Sequence, residues 1–179
     1  RLFGLGMAIV AVVAMSSLTG CEPGTNYIAL GDSYTAGPLI LDQTGEPLGC
    51  LRSNKNYPAL VKPQIRVTGF RDMSCSGGET DDMWAPQGVD PGGPNPAQLS
   101  AVDGAAKVVT LQIGGNDIGF SDIVKNCALQ NPFGSGCTPD FVHDGRDELS
   151  EAIAATAPKI AAVVAEIKRK APLAKVFLI

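Results

Sequence analysis

The sequence predicts an α/β protein, a three-layer, flavodoxin-like parallel sheet covered on both faces. Three observations carry this. Strand-like apolar runs alternate with segments of helical period, and that alternation produces parallel strands joined by crossover helices. Three of the runs end in glycine and small polar residues: Gly31-Asp32-Ser33, Ser74-Cys-Ser-Gly77 and Gly114-Gly-Asn-Asp117. The 179 residues are 45% hydrophobic, enough for the core of about one domain.

The elements follow in order. Residues 27–30 form the first strand, and the polar turn after it opens onto a helix. A helix near 57–62 leads to a strand at 66–73 and then to the Gly77 turn. A helix near 97–102 precedes the strand at 107–113, which runs straight into Gly114. A helix near 118–125 comes next. In the long helix at about 146–170, Ile153, Ile160, Val163, Val164 and Ile167 recur at helical spacing, with Lys and Glu off that face. Pro158 inside it predicts a kink or a break into two helices. A strand at 175–179 closes the list. The strand order expected is 2-1-3-4-5, with strand 5 absent from this sequence. Residues 86–96, rich in Pro and Gly, read as a long surface loop that shapes substrate access.

In a parallel sheet the three polar strand ends lie on one edge, where open α/β sheets bind ligands. Ser33, at a strand end and beside a helix N-terminus, is a candidate nucleophile. The plainer reading is that Asp32 or Ser33 only caps the next helix. With the other two turns, a serine, the Gly77 N–H and the Asn116 amide can converge. Those are a nucleophile and donors for an oxyanion, the equipment of acyl transfer.

Gly31-Asp32-Ser33, Gly77 and Gly114-Gly-Asn116-Asp117 resemble the first three blocks of the GDSL, or SGNH, hydrolases. The stretches 29–37, Asn56-Tyr-Pro-Ala-Leu60, 74–77 and 113–120 resemble the secreted actinobacterial esterase/lipase branch. Each block is short, but their order and spacing together are specific. Gly78-Glu79 departs from the branch, which more often has a small residue and then a small polar one. The resemblance implies the SGNH hydrolase fold and an esterase or lipase with Ser33 as nucleophile. The N–H groups of Ser33 and Gly77 and the Asn116 side chain would hold the oxyanion, and Asp117 would hold the loop that presents Asn116. The family's histidine belongs to a last block that this sequence does not reach. The chain is therefore expected to be a fragment, missing residues at both ends and truncated before the last strand and the catalytic His block.

The N-terminal residues suit an export signal. Residues 2–15 are apolar and uncharged, too short a run to span a bilayer. Leu18-Thr-Gly-Cys21 resembles a lipobox, so residues 1–21 are expected to be a signal peptide ending at a lipidated Cys21, and 22–179 the hydrolase domain. An ordinary signal peptide with a chance cysteine is the alternative. Export would leave Cys50, Cys75, Cys127 and Cys137 to form two disulfides, for which three pairings are open. The resemblance favours Cys50–Cys75 and Cys127–Cys137.

Other residues invite assignment and are declined. His143, the one histidine, reads as a surface loop residue between the last cysteine and the long helix, not as the catalytic base. Asp81-Asp82 and the acids at 144–148 read as solvated turns. Trp84, Phe120 and Phe133 could line an acyl pocket, but aromatics are core or rim residues by default. No C-x-x-C suggests zinc, and no G-x-S-x-G, Walker or dinucleotide motif is present. A net charge of −4 without a basic cluster argues against nucleic acid. The expected partner is a small-molecule or lipid ester, with no cofactor and no metal, for a monomer exported to the outer face of the cell membrane and anchored only through Cys21. The competing class is a lipid-anchored surface protein that binds esters or glycans without hydrolysing them.

Overall fold

The computed structural model describes residues 26–43, 46–65, 67–129 and 137–179. The expected signal segment with Cys21, and Phe133, lie outside them. Four parallel strands form the sheet, β1 (Asn26–Gly31), β2 (Gly69–Asp72), β3 (Ala106–Gln112) and β6 (Lys175–Leu178), in the order β2-β1-β3-β6. The pair β4 (Val142–His143) and β5 (Arg146–Asp147) is a small antiparallel hairpin outside the sheet. Counting sheet strands alone, this is the 2-1-3-4 part of the flavodoxin-like order. β1 is central, and its Tyr27, Ile28, Ala29 and Leu30 are all buried, as a strand covered on both faces requires.

Alternate residues divide the two faces. Ile28, Leu30, Val109 and Leu111 pack with Val163 and Ile167 of α5 (Glu148–Lys170). On the other face the Tyr27 hydroxyl and Thr110 Oγ1 hydrogen-bond at 3.0 Å, and α2 (Tyr57–Val61) lies beside Val108 and Thr110. Helix, sheet, helix is the three-layer plan. Asn56 caps α2 by accepting from the Ala59 N–H at 3.1 Å.

Three expectations differ in extent. The second strand covers only Gly69–Asp72, since β1 pairs with it over four residues. Residues 98–101 form a 3-10 turn rather than an α-helix. α3 spans only Phe120–Val124 and continues as a π turn at Lys125–Leu129. α5, by contrast, is one uninterrupted helix through Pro158, not two. Its 23 residues make it about 34 Å long against about 23 Å for β3, so its first turns overhang the sheet's carboxyl edge. That is why Ile153, expected on the core face, is 56% exposed.

Candidate active site

Ser33 opens α1 (Ser33–Ala36), a single turn. The capping role falls to Asp32, whose Oδ1 accepts from the Tyr34 N–H at 3.0 Å. The plainer reading is thus right for Asp32, and it leaves the Ser33 hydroxyl outside the cap. Gly31 precedes it at φ 154°, where an added Cβ would lie 2.2 Å from Thr35 Oγ1 and 2.5 Å from the Gln112 carbonyl. Only glycine fits this approach of β1 to β3 and α1.

The ends of β1 and β3 surround one cavity of about 310 Å³. Asp32, Ser33 and Tyr34 line one side, and Gly115, Asn116 and Phe120 the other, with Ser121, Val124 and Lys125 completing it. Ser33 and Asn116 therefore meet, as expected. Gly77 does not line this cavity. It occupies the neighbouring exposed turn at φ 79°, linked to the cavity through Asn116, whose Nδ2 donates to the Gly78 carbonyl at 2.7 Å. One amide proton is committed there, and the second is left for another acceptor.

The departure at Gly78-Glu79 has a structural cause. A Cβ at Gly78 would sit 3.0 Å from the Cys75 carbonyl oxygen. Glu79 enters a reciprocal capping box, its N–H donating to Asp82 Oδ2 at 2.8 Å. Asp117 holds the same region. Its carboxylate accepts from the Thr80 N–H at 3.0 Å and from the Thr80 hydroxyl, and Lys159 Nζ approaches to 3.6 Å. Asp117 thus ties the Asn116 loop to the Gly77 turn and to α5, as expected of it.

Four side-chain bonds were not foreseen from the sequence, although Asn56 lies within one of the stretches that resemble the esterase/lipase branch. Gln98, wholly buried, clasps the backbone of Gly31: its Oε1 accepts from the N–H at 2.8 Å and its Nε2 donates to the carbonyl at 2.9 Å. Asn56 Nδ2 donates to Asp72 Oδ2 at 2.7 Å, so the cap of α2 also braces the end of β2. Arg52 Nε donates to the Ser74 carbonyl at 2.8 Å. Asn95, buried at the end of the long loop, donates to the Met73 carbonyl at 3.1 Å. A lone Gln, Asn or Arg in a loop carries no periodicity, so only topology could show its partners.

Disulfides Cys50–Cys75 and Cys127–Cys137 are both formed, the pairing that the resemblance favoured. The first locks the Gly77 turn to the loop after α1, and the Ser76 N–H bonds the Cys50 carbonyl beside it at 3.0 Å. His143 is exposed on the β4–β5 hairpin and is not among the cavity residues. Trp84 is half-exposed and also lies outside the lining, whereas Phe120 stacks edge-on to Tyr34 at 5.9 Å within it.

Asp32 dominates the electrostatics. It is 1% exposed, and its Oδ2 is buried without a hydrogen-bond partner among the described residues. Burial, with repulsion from Asp117 behind it, pushes its pKa up from 3.8 to about 6. The Tyr34 N–H and the nearby Gln112 side chain oppose this only in part. Among the described residues no group of three or more His, Cys, Asp or Glu is placed to hold a metal ion. No helix there is long and apolar enough to cross a membrane.

A parallel sheet carrying a serine after its first strand and an asparagine after its third, both on one edge cavity, defines the SGNH class of fold. The model of the GDSL-like Lipase/Acylhydrolase family matches residues 29–179, and the chain belongs to that family. It is 38% identical over 106 residues to a lipase of Streptomyces rimosus, covering 59% of this chain and 35% of that one. It is 32% identical over 181 residues to Lipase 2 of Streptomyces coelicolor, covering 96% and 57%. Among solved structures it is similar to an extracellular lipase from Streptomyces rimosus, with a TM-score of 0.66 and 32% identity over 87% of this chain and 59% of that one. It is also similar to phospholipase A1 from Streptomyces albidoflavus NA297, with a TM-score of 0.68 and 28% identity over 87% and 58%. The chain thus spans between about a third and two thirds of the length of these relatives.

Proposed function

We propose that the chain forms the nucleophile-bearing part of a carboxylic ester hydrolase of the lipase or esterase type. The observation that carries this reading is the convergence of Ser33 and Asn116 on one cavity, in a member of a lipase and acylhydrolase family. Ser33 Oγ attacks the ester carbonyl, a base takes its proton, and the alcohol leaves from the tetrahedral intermediate. Water then hydrolyses the acyl-serine. The oxyanion is held by the Ser33 N–H and the free amide proton of Asn116, both at the cavity, and in this proposal the Gly77 N–H completes the set from the neighbouring turn. Losing one such donor costs about 2.7–4 kcal/mol of transition-state stabilisation.

The base in this reading is the histidine of the family's last block, a block the 179 residues do not contain. His143, on its exposed hairpin, does not serve. A lipid ester is the substrate class best supported, since Tyr34, Phe120 and Val124 give the cavity an apolar wall and the similar proteins are called lipases and a phospholipase. Two disulfides support folding in an oxidising, exported setting. Attachment through a lipidated Cys21 and a monomeric state belong to the same proposal.

Hydrolysis of p-nitrophenyl butyrate tests it. Without a base beside it the Ser33 hydroxyl is a weak nucleophile, so the 179-residue chain turns over slowly, by acyl transfer to that hydroxyl. That activity should vanish in Ser33→Ala, fall about 10²–10³-fold in Asn116→Ala, and persist in His143→Ala. Turnover indifferent to Ser33→Ala would remove the mechanism and favour an ester-binding surface protein. Rapid turnover abolished by His143→Ala would assign the base to the hairpin.

A further inference from the structure

The turn leaving α1 carries Pro38-Leu39-Ile40-Leu41, and its aliphatic side chains face solvent. Leu39 is 97% exposed, Leu41 81% and Ile40 41%. Single exposed leucines are ordinary, but three consecutive aliphatic residues on one fixed turn are not. The turn is fixed from within. The Gln43 amide donates to the carbonyls of Gly37 at 3.1 Å, Pro38 at 3.4 Å and Ile40, and the Ser53 hydroxyl donates to the Leu41 carbonyl at 2.9 Å. The Ile40 N–H closes on the Gly37 carbonyl at 3.0 Å.

Four of the five carbonyls from Gly37 to Leu41 therefore have a donor inside the protein. That choice of partners points to the occupant. Backbone approaches hydrocarbon at less cost when its polar groups bring their own hydrogen bonds; the Leu39 carbonyl and the N–H groups of Leu39 and Leu41 have none among the described residues, so the backbone stays at the headgroups and only the side chains enter. Shape and charge agree. The turn is a tip rather than a groove, and three side chains cover far less than the roughly 800 Å² per partner of a stable protein interface. At its base Lys55 and Asp42 neutralise each other at 2.5 Å. The chain's net charge of −4 disfavours an anionic surface. The Gly37 N–H bonds the Ser33 carbonyl at 2.9 Å, so the tip starts one turn from the cavity, beside exposed Tyr34.

We infer that residues 38–41 are an interfacial docking turn that inserts Leu39 and Leu41 into a zwitterionic lipid surface and holds the Ser33 cavity against it. The docking stands apart from catalysis; only its purpose, delivery of a lipid ester, rests on the proposed function.

The experiment places one tryptophan at the tip of the full chain. In a Trp84→Phe background, Leu39→Trp is compared with Leu173→Trp, an exposed site just before β6 at the opposite, amino end of the strands. Vesicles of phosphatidylcholine brominated on the acyl chains are the probe. The expected result is quenching several-fold stronger at position 39 than at 173. Adding Leu41→Asp should weaken that quenching about tenfold in the lipid concentration needed, the value of one leucine side chain leaving hydrocarbon. Soluble p-nitrophenyl acetate hydrolysis should be unchanged by Leu41→Asp. Equal or absent quenching at the two positions overturns the inference. So does a dimer that Leu39→Asp converts to monomer by light scattering, which would give the turn to a second copy. Quenching at position 39 in a chain whose ester hydrolysis ignores Ser33→Ala would confirm docking while removing the esterase reading.

Discussion

Asp32→Asn should stabilise this protein at neutral pH and change little in acid. Asp32 is 1% exposed, one carboxyl oxygen has no partner among the described residues, and burial with Asp117 nearby raises its pKa from 3.8 to about 6. The folded state therefore holds this proton more tightly than the unfolded chain. Well below pH 3.8 the group is neutral in both states and its full contribution is present. As pH rises through about 6 that contribution is lost, because folding must then bury the charge. The interval from 3.8 to about 6 corresponds to about 3 kcal/mol, a ceiling on the effect. Asparagine keeps the shape and caps a helix as well as aspartate does. Thermal melts of both proteins at pH 4.5 and pH 8 give the comparison, and groups common to both cancel. At pH 8 the variant should melt roughly 6–12 °C higher; at pH 4.5, where about 1 kcal/mol of that ceiling is already lost, the gap should shrink to about a third. A variant less stable at pH 8, or a gap independent of pH, would show that the carboxylate is solvated or paired and that the reasoning from burial is wrong.

Three further outcomes are expected. Gln98→Ala leaves the buried Gly31 N–H without its acceptor and should cost about 2–3 kcal/mol in urea unfolding; ester turnover should fall with KM nearly unchanged, since the turn carrying Ser33 loses its clasp. Replacing Cys50 and Cys75 together by Ala opens a loop of sequence separation 25, worth about 3.5 kcal/mol by chain entropy and visible as a lowered Tm. Thr80→Val removes a hydroxyl donor from Asp117, whose side chain is 2% exposed, and should cost about 1.5–3 kcal/mol by the same unfolding assay.

Much of this was legible in the sequence because it is local or periodic. The run 27–30 and its abrupt stop at Gly31 identify the central strand and the site of Ser33 without tertiary information. Asn116 follows from the same logic at the end of β3. α5 announces its inner face through Val163 and Ile167, and only Ile153 escapes, because sequence does not show where the sheet beneath a helix ends. The region from 66 to 102 read poorly for the opposite reason. β2 is only four residues long, and 98–101 is a 3-10 turn fixed by Gln98 reaching back 67 residues to Gly31. Pairing at that range is set by topology, not by pattern. Pro158 does not break the helix in two, because proline's local cost, about 3 kcal/mol, is small beside the burial of the helix that contains it.

The site's rigidity has an unusual source for an α/β sheet. α1 has four residues and α2 five, too few for helix formation to hold a catalytic turn by itself. Single polar side chains replace that support, each bonded to main chain at a strand end: Gln98 at Gly31, Asn95 at Met73, Arg52 at Ser74, Asn116 at Gly78. The Cys50–Cys75 disulfide closes the same ring of turns covalently. Such bonds fix direction more sharply than apolar packing does, because an amide clasping a peptide group tolerates little rotation. They carry no excess of stability, since each mainly repays the desolvation of its partners. A fold that spends buried amides on the edge where Ser33 and Asn116 meet, and leaves Asp32 there with an oxygen unsatisfied among the described residues, departs from the most stable packing at the place where chemistry is proposed. Such a departure is expected of a functional site.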